Sequence, residues 1–192
     1  MDIKKMAVLG AGQMGNGITQ VAACAGYQVT MIDIQQEYVD RGIAAIEKSL
    51  AKLVSKERMT QEDADAARGR ISLSIDRSVC ADCDLVVEAV PEILDLKISI
   101  FQELDALCKP ETILASNTSS ISITTIADAT NRPDKVIGMH FMNPVPIMKL
   151  VEIINGKETS EQTNAAVIQA SEQMGKTALS CNDSPGFVSN RI

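Results

Sequence analysis

Short apolar runs recur along the whole chain, at 6–9, 28–32, 71–75, 85–90, 113–115, 136–140, 150–154 and 177–180. Most lack polar alternation, the pattern of strands covered on both faces. Between them, apolar positions at helical spacing predict helices near 14–25, 36–57, 62–68, 94–108, 122–129 and 160–174. The second is the plainest, with Val39, Ile43, Ile46, Leu50, Leu53 and Val54 on one stripe. Thr60 ahead of Glu62 and Asp63 reads as an N-cap with acids in the first turn. Strand and helix alternate throughout, so an α/β domain is expected: a doubly wound, mainly parallel sheet with helices on both faces.

Composition narrows the class. With 192 residues, 45% of them apolar and 22% charged, the chain can bury a core of its own and is not disordered by composition. No apolar run approaches the ~20 residues that span a bilayer, so no membrane partner is expected. The N-terminal apolar run is too short and too glycine-rich for a signal peptide, which points to a cytoplasmic protein. A net charge of -7 without a long basic run argues against a nucleic-acid partner. The five cysteines are odd in number and irregularly spaced. Cys80 and Cys83 form a C-x-x-C with no second pair to complete a zinc site, so they read as inert reduced thiols, and no metal is expected.

One motif narrows the fold. Gly10-Ala11-Gly12-Gln13-Met14-Gly15 is a G-x-G-x-x-G that follows a strand-like run and opens a helical pattern. The first glycine makes a tight turn, the second lets backbone approach a diphosphate, and the third lets helix and strand pack closely. The diphosphate then sits at the positive end of the helix. Asp33 ends the next apolar run, where an acid accepts hydrogen bonds from a ribose 2′-hydroxyl and repels a 2′-phosphate. A Rossmann-type fold binding NAD rather than NADP follows.

Other candidates cluster after later strands. His140, the only histidine, ends an apolar run and enters Asn143-Pro144-Val145-Pro146, read as an extended loop. Glu152 lies in the next run, within reach if that loop folds back, and a carboxylate there would orient the imidazole. By spacing alone, a buried structural histidine is an equal reading. Ser116-Asn117-Thr118-Ser119-Ser120 can bond a ligand or serve as turn and cap. Lys52, Lys56 and Arg58 read as a solvated helix face or as a phosphate landing site. Ser184-Pro185 reads as the start of a helix running through Phe187 and Val188 to Ile192.

Taken together, Gly10–Gly15, Val86-Val87-Glu88-Ala89, the serine-rich stretch 115–120, the stretch 139–152 and the stretch 183–191 resemble the short-chain L-3-hydroxyacyl-CoA dehydrogenases. The bacterial 3-hydroxybutyryl-CoA enzymes are the nearest pattern, across essentially the whole chain. The resemblance implies an NAD-dependent oxidation of (S)-3-hydroxybutyryl-CoA to acetoacetyl-CoA and the reverse reduction. It makes His140 the general base, Glu152 its partner, and Ser119 and Asn190 the groups at the reacting end of the substrate. Gly10, Gly12, Gln13, Met14, Gly15, Asp33, Glu92, Lys97, Asn117 and Asn143 then fall to the cofactor. Ser49, Lys56, Ser119, Asn143 and Asn190 fall to the acyl-CoA thioester. The family's pattern continues into a helical dimerisation domain. Residues 1–183 are therefore expected to be the NAD-binding domain and 184–192 the start of a linker helix. Family members are homodimers, whereas this chain alone is expected to be monomeric with weak or no turnover. A relative acting on a non-CoA hydroxy acid, or a non-catalytic NAD-binding structural protein, remains an alternative.

Overall fold

The computed structural model describes residues 2–184 together with Phe187. Among the described residues there are eight strands: β1 (Lys5–Leu9), β2 (Gln28–Ile32), β3 (Ile71–Ser74), β4 (Leu85–Glu88), β5 (Ile113–Ser116), β6 (Val136–Phe141), β7 (Leu150–Asn155) and β8 (Thr177–Asn182). Six α helices alternate with them: α1 (Gln13–Cys24), α2 (Gln36–Ser55), α3 (Gln61–Gly69), α4 (Leu94–Leu107), α5 (Ile123–Ala127) and α6 (Glu161–Gln173). Each answers an element expected from the hydrophobic pattern, with ends displaced by at most a few residues. Two 3-10 turns, Arg77–Asp82 and Pro133–Lys135, are too short to show a period.

The strand order is β3-β2-β1-β4-β5-β6-β7-β8 in one sheet. Every adjacent pair is parallel except β6 with β7. The chain winds outward from β1 to β3 and then restarts at β4, on the other side of β1. That reversal opens a crevice beyond the carboxyl ends of β1 and β4.

The two faces follow from the strand period of two. Met6 and Val8, Val29 and Met31, Leu85 and Val87, and Met139 and Phe141 point into one core, which α1, α2, α3 and α6 cover. Ala7 and Leu9, Val86, Leu114 and Ile154 point into the other, where α4 and α5 supply Ile100, Phe101, Leu104, Ile123 and Ile126. A strand buried on both faces has no polar positions to alternate, hence the continuous apolar runs. Thr60 caps α3 as expected, accepting from the Asp63 N–H at 3.0 Å.

Two local expectations are corrected. The Asn143–Pro146 segment is a closed turn, in which the N–H groups of Ile147 and Met148 both donate to Pro144 O at 3.0 Å. Phe187 is not helical: its φ of 50° lies in the left-handed region. Its N–H donates to Ser184 O at 2.9 Å, and its ring is buried, 5.9 Å from that of His140. The remainder of the expected 184–192 helix lies outside the described residues.

Candidate active site

The glycine loop leaves β1 and enters α1 with three distinct constraints. Gly10 has a φ of 102°, and a Cβ on it would lie 2.5 Å from Ala89 O. A Cβ on Gly15 would lie 1.7 Å from Gly10 O, so the helix can approach the strand only without one. A Cβ on Gly12 would meet nothing within 4 Å. Gly12 is also the N-cap of α1, with no side chain capping the helix and no acid in its first turn. The first N–H groups of α1 therefore face an open cradle at the positive end of the helix, the environment a diphosphate needs.

Asp33, at the end of β2, closes one side of this cradle. Its Oδ2 accepts from Ala11 N–H at 2.7 Å and its Oδ1 from Ile34 N–H at 2.7 Å. Both bonds leave carboxylate lone pairs spare for a ribose hydroxyl. No cation is paired with Asp33 among the described residues to accommodate a 2′-phosphate. The loop, the uncapped helix and the acid thus fit a dinucleotide without a 2′-phosphate, such as NAD.

Across the crevice, β4 and β5 support a buried polar network. Glu88 Oε1 accepts from Lys97 Nζ at 2.6 Å and from Val90 N–H at 2.7 Å, while its Oε2 accepts from the Ser116 hydroxyl at 2.6 Å. Lys97 also reaches Val90 O at 3.3 Å and Glu92 Oε2 at 3.3 Å. With its side chain 1% exposed and three acceptors around its ammonium, Lys97 meets the cleft only through Glu92 and Val90, which line it. Glu92 Oε1 in turn gathers the N–H groups of Ser119 and Ser120 at 2.9 and 3.2 Å and the Thr118 hydroxyl. Burial works against its charge, but the Thr118 hydroxyl, the Lys97 ammonium and the Ser119 N–H hold its carboxyl at about 2.

The serine-rich stretch divides between the two readings open to it. Ser116 and Thr118 are internal: Ser116 serves Glu88, and Thr118 Oγ1 accepts from Ile121 N–H at 2.9 Å. Ser119 lines the cleft, with its hydroxyl donating to Glu92 Oε1 at 3.3 Å. Asn117 pins β5 to β6, its Oδ1 accepting from Phe141 N–H at 2.9 Å.

The antiparallel register sets His140 directly opposite Glu152. His140 Nδ1 and Glu152 Oε2 are 2.8 Å apart, and the carboxylate is fully buried. The turn after β6 folds back as the pairing requires. It also brings Asn143 within 3.0 Å of Gln13 Nε2, which donates to its Oδ1.

These elements enclose a cleft of about 430 Å³, lined by Met14, Val90, Glu92, Asn117, Ser119, His140 and Asn143 among others. Ser49 and Lys56 stay outside it: Ser49 is half-buried on α2, and Lys56 is the exposed C-cap of that helix. Asn190 lies outside the described residues. Cys80, Cys83 and Cys108 are buried on the α4 face, and burial pushes the Cys83 and Cys108 thiols up to about 11 and Cys80 higher still. Among the described residues no cluster of side chains could hold a metal. Nor is any helix among them long and apolar enough to cross a membrane.

Sequence reasoning missed the Glu88–Lys97 pair. A glutamate inside an otherwise apolar strand is the signal for it, since a buried carboxylate requires a partner.

A dinucleotide crevice beside an imidazole–carboxylate pair defines the class, an NAD-dependent oxidoreductase domain. Residues 5–184 match the family model for the 3-hydroxyacyl-CoA dehydrogenase NAD-binding domain, and the chain belongs to that family. It is 55% identical over 188 residues to a probable 3-hydroxybutyryl-CoA dehydrogenase of Deinococcus radiodurans, covering 98% of this chain and 67% of the relative. A Bacillus subtilis protein of the same name is 50% identical, covering 100% of this chain and 67% of its own length. The crystal structure of (S)-3-hydroxybutyryl-CoA dehydrogenase from Ralstonia eutropha superposes with a TM-score of 0.97 at 46% identity, over 100% of this chain and 68% of that one. The chain thus spans about two thirds of the length of these relatives.

Proposed function

We propose that the chain takes part in the reversible oxidation of (S)-3-hydroxybutyryl-CoA to acetoacetyl-CoA, with NAD held at the glycine cradle and His140 as the base. The observation that carries this reading is the 2.8 Å His140–Glu152 pair in the wall of a cleft adjoining the cradle. When bound, the nicotinamide supplies the hydride acceptor for substrate oxidation and the donor for the reverse.

The chain's own groups do the rest. Glu152 accepts the Nδ1 proton of His140 and so fixes the tautomer that leaves the Nε2 lone pair for the substrate. Nε2 takes the proton of the 3-hydroxyl in oxidation and returns it to the carbonyl oxygen in reduction. The positive imidazole that forms is stabilised by the buried carboxylate. The Asn143 amide is one donor for the developing oxyanion, and the Ser119 hydroxyl, which here donates to Glu92 Oε1 at 3.3 Å, is a second on turning to the substrate. Gly10, Gly12, Gln13, Met14 and Gly15 hold the diphosphate side of the cofactor and Asp33 its ribose. Glu92, Asn117 and Asn143 line the nicotinamide side, with Lys97 fixing Glu92 from beneath. Ser49 and Lys56 on α2 hold the CoA end of the thioester. Asn190 and the dimerising segment that the family pattern continues into complete the pocket.

NADH fluorescence, followed by acetoacetyl-CoA in the same cuvette, tests this. The sequence has no Trp, so nicotinamide emission itself is the signal. Saturable binding is expected, and any turnover should drop by about 10²- to 10⁴-fold in Glu152→Gln with the NADH affinity kept. A folded chain that binds no NADH, or a Glu152→Gln variant that turns over like the parent, would overturn the reading.

A further inference from the structure

The loop between β6 and β7 is held from three sides, and one grip comes from a residue that does not line the cleft. Gln13 binds Asn143 from the glycine loop. Val145 packs over Gly17 of α1, where a Cβ would come within 2.8 Å of the Val145 Cβ. From below, Lys176 Nζ donates to Val145 O and to Met148 O, the latter at 2.9 Å. Gly175, with a φ of 70°, ends α6 and turns the chain so that Lys176 points back under the loop. The backbone on both sides of Lys176 is tied down as well, by Lys176 N–H to Ser171 O at 3.0 Å and Thr177 N–H to Lys149 O at 2.7 Å.

Lys176 is only 8% exposed and has no carboxylate partner among the described residues. Burying an ammonium against two carbonyls alone costs stability relative to an apolar side chain of similar volume. Burial accordingly pushes its pKa below the ordinary lysine value. Packing alone does not call for a charge here, whereas clamping two carbonyls of one turn does.

We propose that Lys176 is a positioning residue for the cofactor cleft: it fixes the turn 143–148 so that Asn143 faces the cleft and meets Gln13. His140 and Glu152 lie outside the clamped turn and are set by strand register, so the clamp governs binding rather than the base. The proposal rests on the cleft being the nicotinamide site.

NADH titration of the full chain and three variants is the test, with hydrogen exchange at the amides of Ile147 and Met148. Lys176→Met is expected to weaken NADH about tenfold and to speed exchange at those two amides. Lys176→Arg keeps two donors and should recover most of the affinity. In an Asn143→Ala background, itself weakened, Lys176→Met should add less than twofold, because both act through one contact. Multiplying effects, an unrescued Arg variant or unchanged NADH affinity in Lys176→Met would each overturn the proposal. Should Lys176→Met not fold, Gly17→Ala displaces the same turn through Val145. It must then weaken NADH without further loss in the Asn143→Ala background, and unchanged affinity would overturn the proposal. A wild-type chain that binds no NADH defeats the cofactor reading and this one with it. Wild-type binding with an unaffected Lys176 variant defeats this one alone.

Discussion

At the scale of single residues, the glycine loop separates two jobs that one motif conceals. Gly15 is required by the protein itself, since any Cβ there strikes the Gly10 carbonyl at 1.7 Å. Gly12 is required by nothing in the protein, since its Cβ position is open to 4 Å and its φ of -64° suits any residue. The two alanine variants should therefore part company. Gly15→Ala must move backbone, and overpacking of this kind costs about 1–3 kcal/mol. Gly12→Ala changes only an N-cap preference, worth within about 1 kcal/mol. Yet its methyl group fills the cradle, so NADH affinity should fall at least about tenfold. Thermal melts beside NADH titrations decide this. A Gly12→Ala variant that binds like the parent would move the diphosphate away from α1.

Among the elements, the β6–β7 pair carries the most functional weight, because its register alone aligns His140 with Glu152. Gly138 lies on the same face two residues earlier, opposite Ile154. A Cβ there would lie 2.8 Å from Ile154 Cβ and 3.0 Å from Ile123 Cγ1. Gly138→Ala should thus destabilise by about 1–3 kcal/mol in urea unfolding while leaving NADH binding within twofold. A variant as stable as the parent would show that α5 can yield. The strands were legible in the sequence because double-sided burial leaves a continuous apolar run, and the helices because their stripes have the right period. The glycine loop and Asp33 were legible because their spacing encodes a local chain path. The His140–Glu152 contact was only permitted by spacing: which residues face each other is set by the β6–β7 register, and spacing along the chain does not fix a register between two strands. Phe187 departs from the expected helix, with a left-handed backbone whose N–H donates to Ser184 O at 2.9 Å. The Glu88–Lys97 pair had a signal in the charge placed within a buried strand, but its partner lay on another element.

Over the whole molecule, carboxylates join segments that lie far apart in sequence. Asp84 accepts from the N–H groups of Lys4 and Lys5, 80 and 79 residues away, and binds Lys109. Asp105 holds Asn131 and Arg132 to α4. Asp183 ties the end of β8 to Ser122 and Thr124 at the start of α5. Glu92 joins the segments after β4 and β5. Burial acts against each charge, and hydrogen bonds or nearby cations outweigh it, so all four pKa values lie below the ordinary carboxylate range, Glu92 at about 2. A carboxyl more acidic in the folded state than in the unfolded one binds fewer protons when folded. Its contribution is complete above the unfolded value, about 4, and drains away as pH falls through the lowered native value. Urea midpoints should accordingly be flat on this account from about pH 7 to 5 and fall steeply between about 4 and 2. Asp183→Asn keeps one acceptor but loses the charge, so it should lower the midpoint at pH 7 and shallow the acid slope together. An Asp183→Asn chain with the parent's full acid slope would mean that this joint is not held by its charge, leaving the acid sensitivity to the other three.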